Sequence, residues 1–509
     1  MIIIYHKNNK VVKVIRDEEN LFFSSHTIVG TINRLAELYS QDWLIWCDLD
    51  LKPYLNLSKF KSIFHHHKIM ASFGQSYIPA EIGYVEESPF IKINKTVAYP
   101  TWLMSAEVGG VHASVLKAIG SKIKTDTSFD YFINSLAKLG MPAGLFCYSD
   151  PRLLTNAVPK IQKGESTNHY ILFRFVSQHY KKRWLLLLFV NLMLFEKRFS
   201  VIPFLYGCFF QSRKKTALNL ENISVQSALE PILDKTIDVI IPTIGRKQYL
   251  YDVLKDLANQ THLPKRVIIV EQNPNPKSSS ELDYLTNQSW PFTIKHIFTH
   301  QAGACNARNL ALNEVESEWV FMADDDIRLH IDFFNEAFDR IKKLGIGQIT
   351  FGCYAVNYVQ KEKKEGIFQW SSFGSGCSIV KKQSIDAIKY NLHFEFGYGE
   401  DADFGMQLRN KGLDVVFSSR PEITHLKAAM GGFRTILKKP WDDDIVQPKP
   451  SPTVMLFKIK HYTKQQLLGY KIVLFLKYYK IQKIKNPILY YKNFQKQWKQ
   501  SVFWANKLK

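Results

Sequence analysis

The segment from Glu318 to Leu329 reads E-W-V-F-M-A-D-D-D-I-R-L, and it limits what the chain can fold into more tightly than any other stretch. Trp319 to Ala323 is a continuous apolar run of the kind a strand buried on both faces shows, and it stops on Asp324, Asp325 and Asp326. Three adjacent carboxylates repel one another, so a strand end that keeps them is expected to hold a cation. Oxygen ligands at the carboxyl edge of a parallel sheet are the usual way an α/β fold sets a divalent ion beside a phosphate. The competing reading is a solvated acidic turn, and the surrounding chain decides between the two.

Upstream, I-D-V-I-I (Ile237 to Ile241) reads as a buried strand and P-T-I-G-R as a turn. Leu250, Val253, Leu254 and Leu257 then recur at helical spacing before R-V-I-I-V (Arg266 to Val270) starts a second strand. Strand, helix, strand at this length is a right-handed crossover unit of a parallel sheet. After a polar loop and a third strand near Thr293 to Phe298, A-G-A-C-N-A-R-N-L-A-L begins a helix whose small residues let its N-terminal amides approach an anion closely. That helix delivers the chain to the acidic strand.

The same text occurs earlier in weaker form. In W-L-I-W-C-D-L-D-L-K-P, Trp43 precedes Asp48 and Asp50 by the intervals at which Trp319 precedes Asp324 and Asp326. G-T-I-N-R-L-A-E-L echoes G-A-C-N-A-R-N-L-A-L, and Gly109 to Ile119 parallels Gly374 to Ile388. An internal duplication follows. Its first copy is short at the front and has little room for a nucleotide-binding half. The expected organisation is a degenerate domain over 1–160, an apolar and basic helical bridge over 161–235, a catalytic domain over 236–445 and a basic, aromatic-rich helical tail over 446–509.

The 67 Lys and Arg against 46 Asp and Glu leave a formal charge of +21, which calls for an anionic partner. Much of it lies in the tail, where Ser451 to Lys509 holds 13 lysines and no acid, interleaved with rings such as Tyr478, Tyr491, Trp498 and Phe503. This pattern suits an anionic membrane surface; single-stranded nucleic acid is the weaker alternative. The bridge carries two apolar blocks, each near half the ~20 residues of a spanning helix, so inter-domain packing or an interfacial helix is expected there. Six scattered cysteines indicate neither zinc nor a disulfide framework, and the N-terminus lacks a signal-peptide core, so the expected location is cytoplasmic, peripheral at the inner membrane face.

Four motifs in order, V-I-I-P-T-I-G-R, A-G-A-C-N-A-R-N, M-A-D-D-D and F-G-Y-G-E-D-A-D-F-G-M-Q-L-R-N-K-G, make Ile237 to about Phe433 resemble the family 2 glycosyltransferases of the GT-A fold, in particular galactosyltransferase-like and chondroitin-synthase-like members. The resemblance implies an α/β fold with a Rossmann-like mixed sheet flanked by helices. It implies that Asp324 contacts the ribose or the metal and that Asp326 and His425 ligate the metal, Mn2+ or Mg2+, with the imidazole favouring manganese. A base must face the acceptor hydroxyl opposite the departing diphosphate. Glu400 and Asp401, opening a helix after the G-Y-G turn, are the candidates; by resemblance Asp401 is the base and Glu400 binds the acceptor or orients its neighbour.

Pro242, Thr243, Gly245 and Arg246 follow the first strand where the family seats nucleobase and ribose, and Arg308 and Asp325 join them in holding the nucleotide sugar. The second strand ends in Glu271 and Gln272 where the family commonly has two aspartates; a glutamate still accepts from a uracil imide, which favours a uridine donor. Trp370 and Gly376, with Phe373 and Gly374, resemble the acceptor-side loop. The first copy keeps Asp48 and Asp50 but has no G-E-D turn and no counterpart of His425, so it reads as scaffold or acceptor platform. The expectation is an inverting, metal-dependent transferase moving a sugar from a nucleotide sugar to a glycan or lipid-linked acceptor in cell-surface polysaccharide synthesis. A sugar nucleotidyltransferase, which would want a lysine-bearing phosphate loop after the first strand, and a non-catalytic carbohydrate-binding scaffold are the alternatives.

Overall fold

The computed structural model describes residues 1–22, 27–119, 123, 128–155, 168–214, 218–357, 365–395, 397–428 and 438–509. The boundary expected at 160/161 and the loop in which the family resemblance ends both lie outside these residues. The chain forms two compact units, one made of Met1–Leu229 with Tyr462–Ile481, the other of Glu230–His461 with Gln482–Lys509.

The first unit holds strands β1 (Ile2–Lys7), β2 (Lys10–Arg16), β3 (Glu19–Leu21), β4 (Trp43–Asp48), β5 (Ile69–Phe73), β6 (Tyr99–Pro100), β7 (Val108–His112) and β8 (Phe146–Ser149), in the order β3-β2-β1-β4-β7-β5-β8-β6. The second holds β9 (Ile237–Thr243), β10 (Arg266–Gln272), β11 (Thr293–Thr299), β12 (Trp319–Ala323), β13 (Ile327–Arg328), β14 (Gln348–Ala355), β15 (Ile367–Gln369), β16 (Cys377–Lys381) and β17 (Val416–His425). Its order is β11-β10-β9-β12-β16-β14-β17-β13, with β15 on β17.

Five strands correspond one to one. β1 and β4 are parallel as β9 and β12 are, β7 is antiparallel to both β4 and β5 as β16 is to β12 and β14, and β8 is parallel to β5 as β17 is to β14. The duplication is therefore one of strand order and direction. The copies part after the first strand. Asn8 and Asn9 adopt φ of 52° and 64°, left-handed values that asparagine tolerates in a tight hairpin turn, so β2 folds straight back on β1. In the second unit a helix, Lys247–Ala258, crosses to β10 instead, with Leu250, Val253, Leu254 and Leu257 buried beneath it. The hairpin is why the first copy is short at its front.

β12 runs through the middle of the second sheet with all five side chains buried. It lies parallel to β9, Trp319 opposite Ile237, and antiparallel to β16, Ala323 opposite Cys377. Beyond its end, β13 turns to pair with β17, placing His425 opposite Ile327 and hence next to Asp326.

The tail is helical, and its helices divide between the units. Pro452–His461 lies in the second unit, where Lys460 Nζ and His461 Nε2 each reach Asp403 Oδ1 at 2.6 Å, and Asp403 is wholly buried. Pro487–Lys507 turns Tyr490, Phe494 and Trp498 inward. Lys464–Ile481 belongs to the first unit, where Gln466 Nε2 donates to the carbonyls of Glu86 and Ser88. Burial raises the Asp403 carboxyl, but His461 and Lys460 outweigh it and hold the group below its ordinary value. Its stabilisation is thus present above about pH 4 and is lost as pH falls through the depressed value. Asp403→Ala, which leaves the Lys460 ammonium and the His461 ring facing a void, should cost ~3 kcal/mol in urea unfolding at pH 7, with the difference from the parent shrinking below pH 4; a cost under ~1 kcal/mol would show that these contacts do not hold the helix.

Candidate active site

Each of the three carboxylates at the end of β12 has its own leading partner, and Arg246 reaches two of them. Asp324 Oδ1 accepts from Arg308 Nη2 at 3.0 Å. Asp325 accepts from Thr243 Oγ1 at 2.7 Å and from Arg246 Nη1 at 2.5 Å. Asp326 accepts from the Ala428 amide at 2.8 Å and lies 3.2 Å from His425 Nε2, with Arg246 Nη1 at 3.5 Å. Burial pushes the Asp325 carboxyl up to about 6 against the pull of Arg246 and Thr243. Burial also raises Asp326, but the His425 bond and the Ala428 amide bring it below its ordinary value, while the same bond raises His425.

Asp324, Asp326 and His425 each offer one ligand atom within 4.8 Å of the other two. Two carboxylate oxygens and one imidazole nitrogen are a donor set that fits a divalent first-row ion. No other such group of acid, histidine or cysteine side chains occurs among the described residues. Asp325 turns the other way: its carboxylate is taken up by Thr243 and Arg246 and is 3% exposed. In the first unit, Asp50 pairs with Lys7 at 2.6 Å and Asp48 accepts the Asp50 amide at 3.0 Å.

Arg308 sits on the helix Ala304–Asn313, buried over the ring of Tyr390 with its guanidinium carbon 5.6 Å from the centroid. The first turn of this helix does bind an anion, but one from the chain itself: the amides of Cys305 and Asn306 each donate to Glu395 at 2.9 Å. A Cβ at Gly303 would fall 2.3 Å from the Glu395 carboxyl carbon, so the small residues of A-G-A-C serve that contact. The expected room for an outside anion is filled by a side chain.

Glu400 and Asp401 open the helix Glu400–Asn410. Asp401 accepts from Ser375 Oγ, and Ser375 in turn accepts from Tyr390 OH at 2.7 Å. Burial raises the Asp401 carboxyl; Arg308 and the Ser375 hydroxyl pull it back, and Asp324 adds to the rise. Glu400 is pushed up to about 7, by burial and then by Asp401. Ser375 lies within the Gly374 to Gly376 stretch that resembles the acceptor-side loop, whereas Tyr390 and Glu395 carry no signal in the sequence.

The remaining candidates are distributed around this centre. A Cβ at Gly376 would lie 2.1 Å from Asp324 Oδ2, so only glycine leaves that carboxylate its place. Gly245, at φ 62°, has open space around it. Pro242 and Thr243 end β9, the latter 3% exposed. Glu271 accepts from Ser280 Oγ at 2.6 Å, His296 Nε2 at 2.9 Å and the Glu281 amide at 3.1 Å, which leaves one of a carboxylate's roughly four lone-pair sites for a base. Trp370 stacks on Phe417 with centroids 4.9 Å apart.

A family model described as Glycosyl transferase family 2 matches residues 238–399, from the second residue of β9 to the glycine before Glu400. This segment is a family 2 glycosyltransferase domain. Its sheet is the mixed sheet of the GT-A fold, and the matched glycosyltransferase segment includes Asp324 and Asp326 but stops short of Glu400, Asp401 and His425. No curated protein matches the chain. Among solved structures, S. aureus TarS 1-349 is similar over 38% of this chain at 17% identity and a TM-score of 0.32, with 60% of that chain covered. TarS 1-349 in complex with UDP-GlcNAc is similar over 47% at 17% identity and 0.35, with 70% covered. GalNAc-T7 with UDP, GalNAc and Mn2+ is similar over 40% at 10% identity and 0.31, with 48% covered. The chain thus spans about 60% of the length of the first of these.

Glu400 supplies a test of the electrostatics of this cluster that needs no substrate. Its folded value of about 7 stands above its ordinary 4.5, so its stabilising share is complete below about pH 4.5 and is lost as pH rises through 7. With chelator present, Glu400→Gln should therefore lessen the fall in unfolding free energy between pH 5 and pH 8 by roughly 2 kcal/mol, a figure discounted for partial exposure. An unchanged fall would place the Glu400 carboxyl in water.

Proposed function

We propose that the second unit is an inverting glycosyltransferase that takes a sugar from a nucleoside diphosphate, with uridine the favoured base, and passes it to a hydroxyl of a glycan or lipid-linked acceptor in cell-surface polysaccharide synthesis. The observation that carries this reading is the meeting of Asp324, Asp326 and His425, as ligand atoms within 4.8 Å of one another, with Arg308 between that group and Asp401. Asp324, Asp326 and His425 would hold a divalent ion, manganese rather than magnesium on account of the imidazole, and it would neutralise charge on a departing diphosphate.

Asp401 accepts the acceptor hydroxyl's proton. Its raised value suits a base that must work near neutral pH. Ser375 fixes the orientation of that carboxylate through its hydroxyl, and Tyr390 fixes Ser375. The acceptor oxygen forms its bond to the anomeric carbon as the bond to the diphosphate oxygen breaks, and Arg308 faces the charge that leaves. Thr243 and Arg246, held by Asp325, form the nucleotide side with Pro242, Gly245 and Glu271, while Trp370 and Gly376 lie on the acceptor side. The first unit, without an equivalent group among its described residues, serves as scaffold or acceptor platform. The +21 charge and the lysines of the tail favour docking at the anionic inner face of a membrane; no helix among the described residues is long and apolar enough to cross one.

Hydrolysis of a panel of nucleotide sugars with manganese tests the reading as a whole, and turnover of none would overturn it. Asp326→Ala removes a ligand, so donor binding should lose its dependence on metal, at some cost in stability because the His425 and Ala428 bonds go with it; unaltered donor affinity in the folded variant would sink the ligand assignment. Asp401→Asn should keep donor binding and lower transfer by roughly 10²-fold or more, the scale of a positioned base. Near-normal transfer in that variant would move the base to Glu400.

A further inference from the structure

The helix Val201–Cys208 of the first unit is apolar all round, V-I-P-F-L-Y-G-C, and only one of its faces is covered. Phe204 packs against Phe189 and Phe173, with centroids 5.1 and 6.0 Å away, and Gly207 lets the helix come close to Phe173, whose Cβ would lie 3.0 Å from a Cβ placed there. Ile202 and Leu205 on the helix and Phe199 and Phe209 at its two ends are left at 68, 53, 74 and 86% exposure. Isolated exposed apolar residues are ordinary; four large ones along one short helix and its ends are not. A helix with no polar face belongs in a core or in lipid. At about 12 Å this one is far shorter than the ~30 Å hydrocarbon layer, so it can lie in a bilayer surface but cannot cross it.

Charge selects the kind of surface. Lys197 and Arg198 lie just before the stripe and Arg213 and Lys214 just after it, and Lys181, Lys182 and Arg183 open the preceding helix. Arg198 lies 3.5 Å from Glu81, Arg213 donates to Ser135 Oγ at 2.7 Å and Glu196 accepts from Tyr84 OH at 2.6 Å, so Lys181, Lys182, Arg183, Lys197 and Lys214 are the exposed cations for a headgroup. Apolar side chains flanked by cations match an interface of acyl chains and anionic headgroups. The tail helix Pro487–Lys507 is the weaker candidate for insertion: it exposes Ile488, Leu489 and Tyr491, but it also turns Tyr490, Phe494 and Trp498 inward, so it is not apolar all round.

We propose that Phe199–Phe209 is the element by which the protein inserts into an anionic bilayer surface, its exposed stripe sunk to the headgroup boundary and its flanking cations on the phosphates. This rests on the membrane docking proposed above and names the element responsible. The test uses the full chain with vesicles of phosphatidylcholine alone and with added phosphatidylglycerol, at physiological salt. The parent should float with the anionic vesicles, and Phe199→Ser/Ile202→Ser/Phe209→Ser should lower the partition coefficient roughly 100-fold or more with an unchanged unfolding transition. Cys208, the one exposed thiol among the six, takes an environment-sensitive fluorophore whose emission should shift to the blue on anionic vesicles only. A parent that does not bind vesicles overturns both the docking and this element. A triple variant that floats like the parent, or a label that stays in water while the parent floats, overturns the element alone. A parent dimer that the triple variant converts to monomer, without vesicle binding by either, makes the stripe a contact between copies and overturns the proposal.

Discussion

Three carboxylates can stand side by side at the end of a buried strand only if each is met from a different direction, and the second unit is arranged so that they are. β12 ends at Ala323, and the turn that follows points the three carboxylates at different partners. Arg308 answers Asp324 from the helix before β12, Thr243 and Arg246 answer Asp325 from the end of β9, and His425 answers Asp326 from the end of β17. Each partner comes from a separate element, so the parallel pairing of β9 with β12 and the antiparallel pairing of β13 with β17 must both be right for any of it to hold. Asp325 and Asp326 are both buried, the first held by Thr243 and Arg246 and the second by His425 and the Ala428 amide, and Asp324 is the more open of the three.

How far this could be read beforehand depended on range. The buried strand and its acidic end are local, as are the crossover to β10 and the helix opened by Glu400, and the sequence carries them plainly. His425 is ninety-nine residues from Asp326. Only a register between two strands brings them together, and no periodicity encodes it, which is why the resemblance and not the pattern pointed there. The tail is ambiguous for another reason. Lysine interleaved with rings describes a helix that buries one stripe as well as it describes one that meets lipid, and in Pro487–Lys507 Tyr490, Phe494 and Trp498 are buried while Ile488, Leu489 and Tyr491 are exposed. The apolar block around Ile202, read as packing or an interfacial helix, turns out to be half of each.

The two units show what a duplicated frame keeps and loses. Strand order and direction persist through five strands, although few residues do. What differs is a turn: two asparagines in left-handed conformation send the chain into a hairpin, and the hairpin occupies the sheet edge where β10 and β11 stand in the other copy. Losing that edge removes the place of Glu271 and Gln272. Asp48 and Asp50 then remain as an acidic turn in which one side chain caps the other's amide and a surface lysine takes up the remaining charge.

Glu395 is a second tie, beside Tyr390, between two parts of the site. It belongs to the loop leading into the helix of Glu400 and Asp401, yet its carboxylate is lodged on the first turn of the helix that carries Arg308. A bond of this kind acts as a pivot: the loop cannot swing away without uncovering two buried amides, and the Arg308 helix cannot slide without dragging the loop. The spacing between the guanidinium and the Asp401 carboxylate is thereby held by a residue that touches neither, and the geometry of both sides of the cleft is referred to one fixed point.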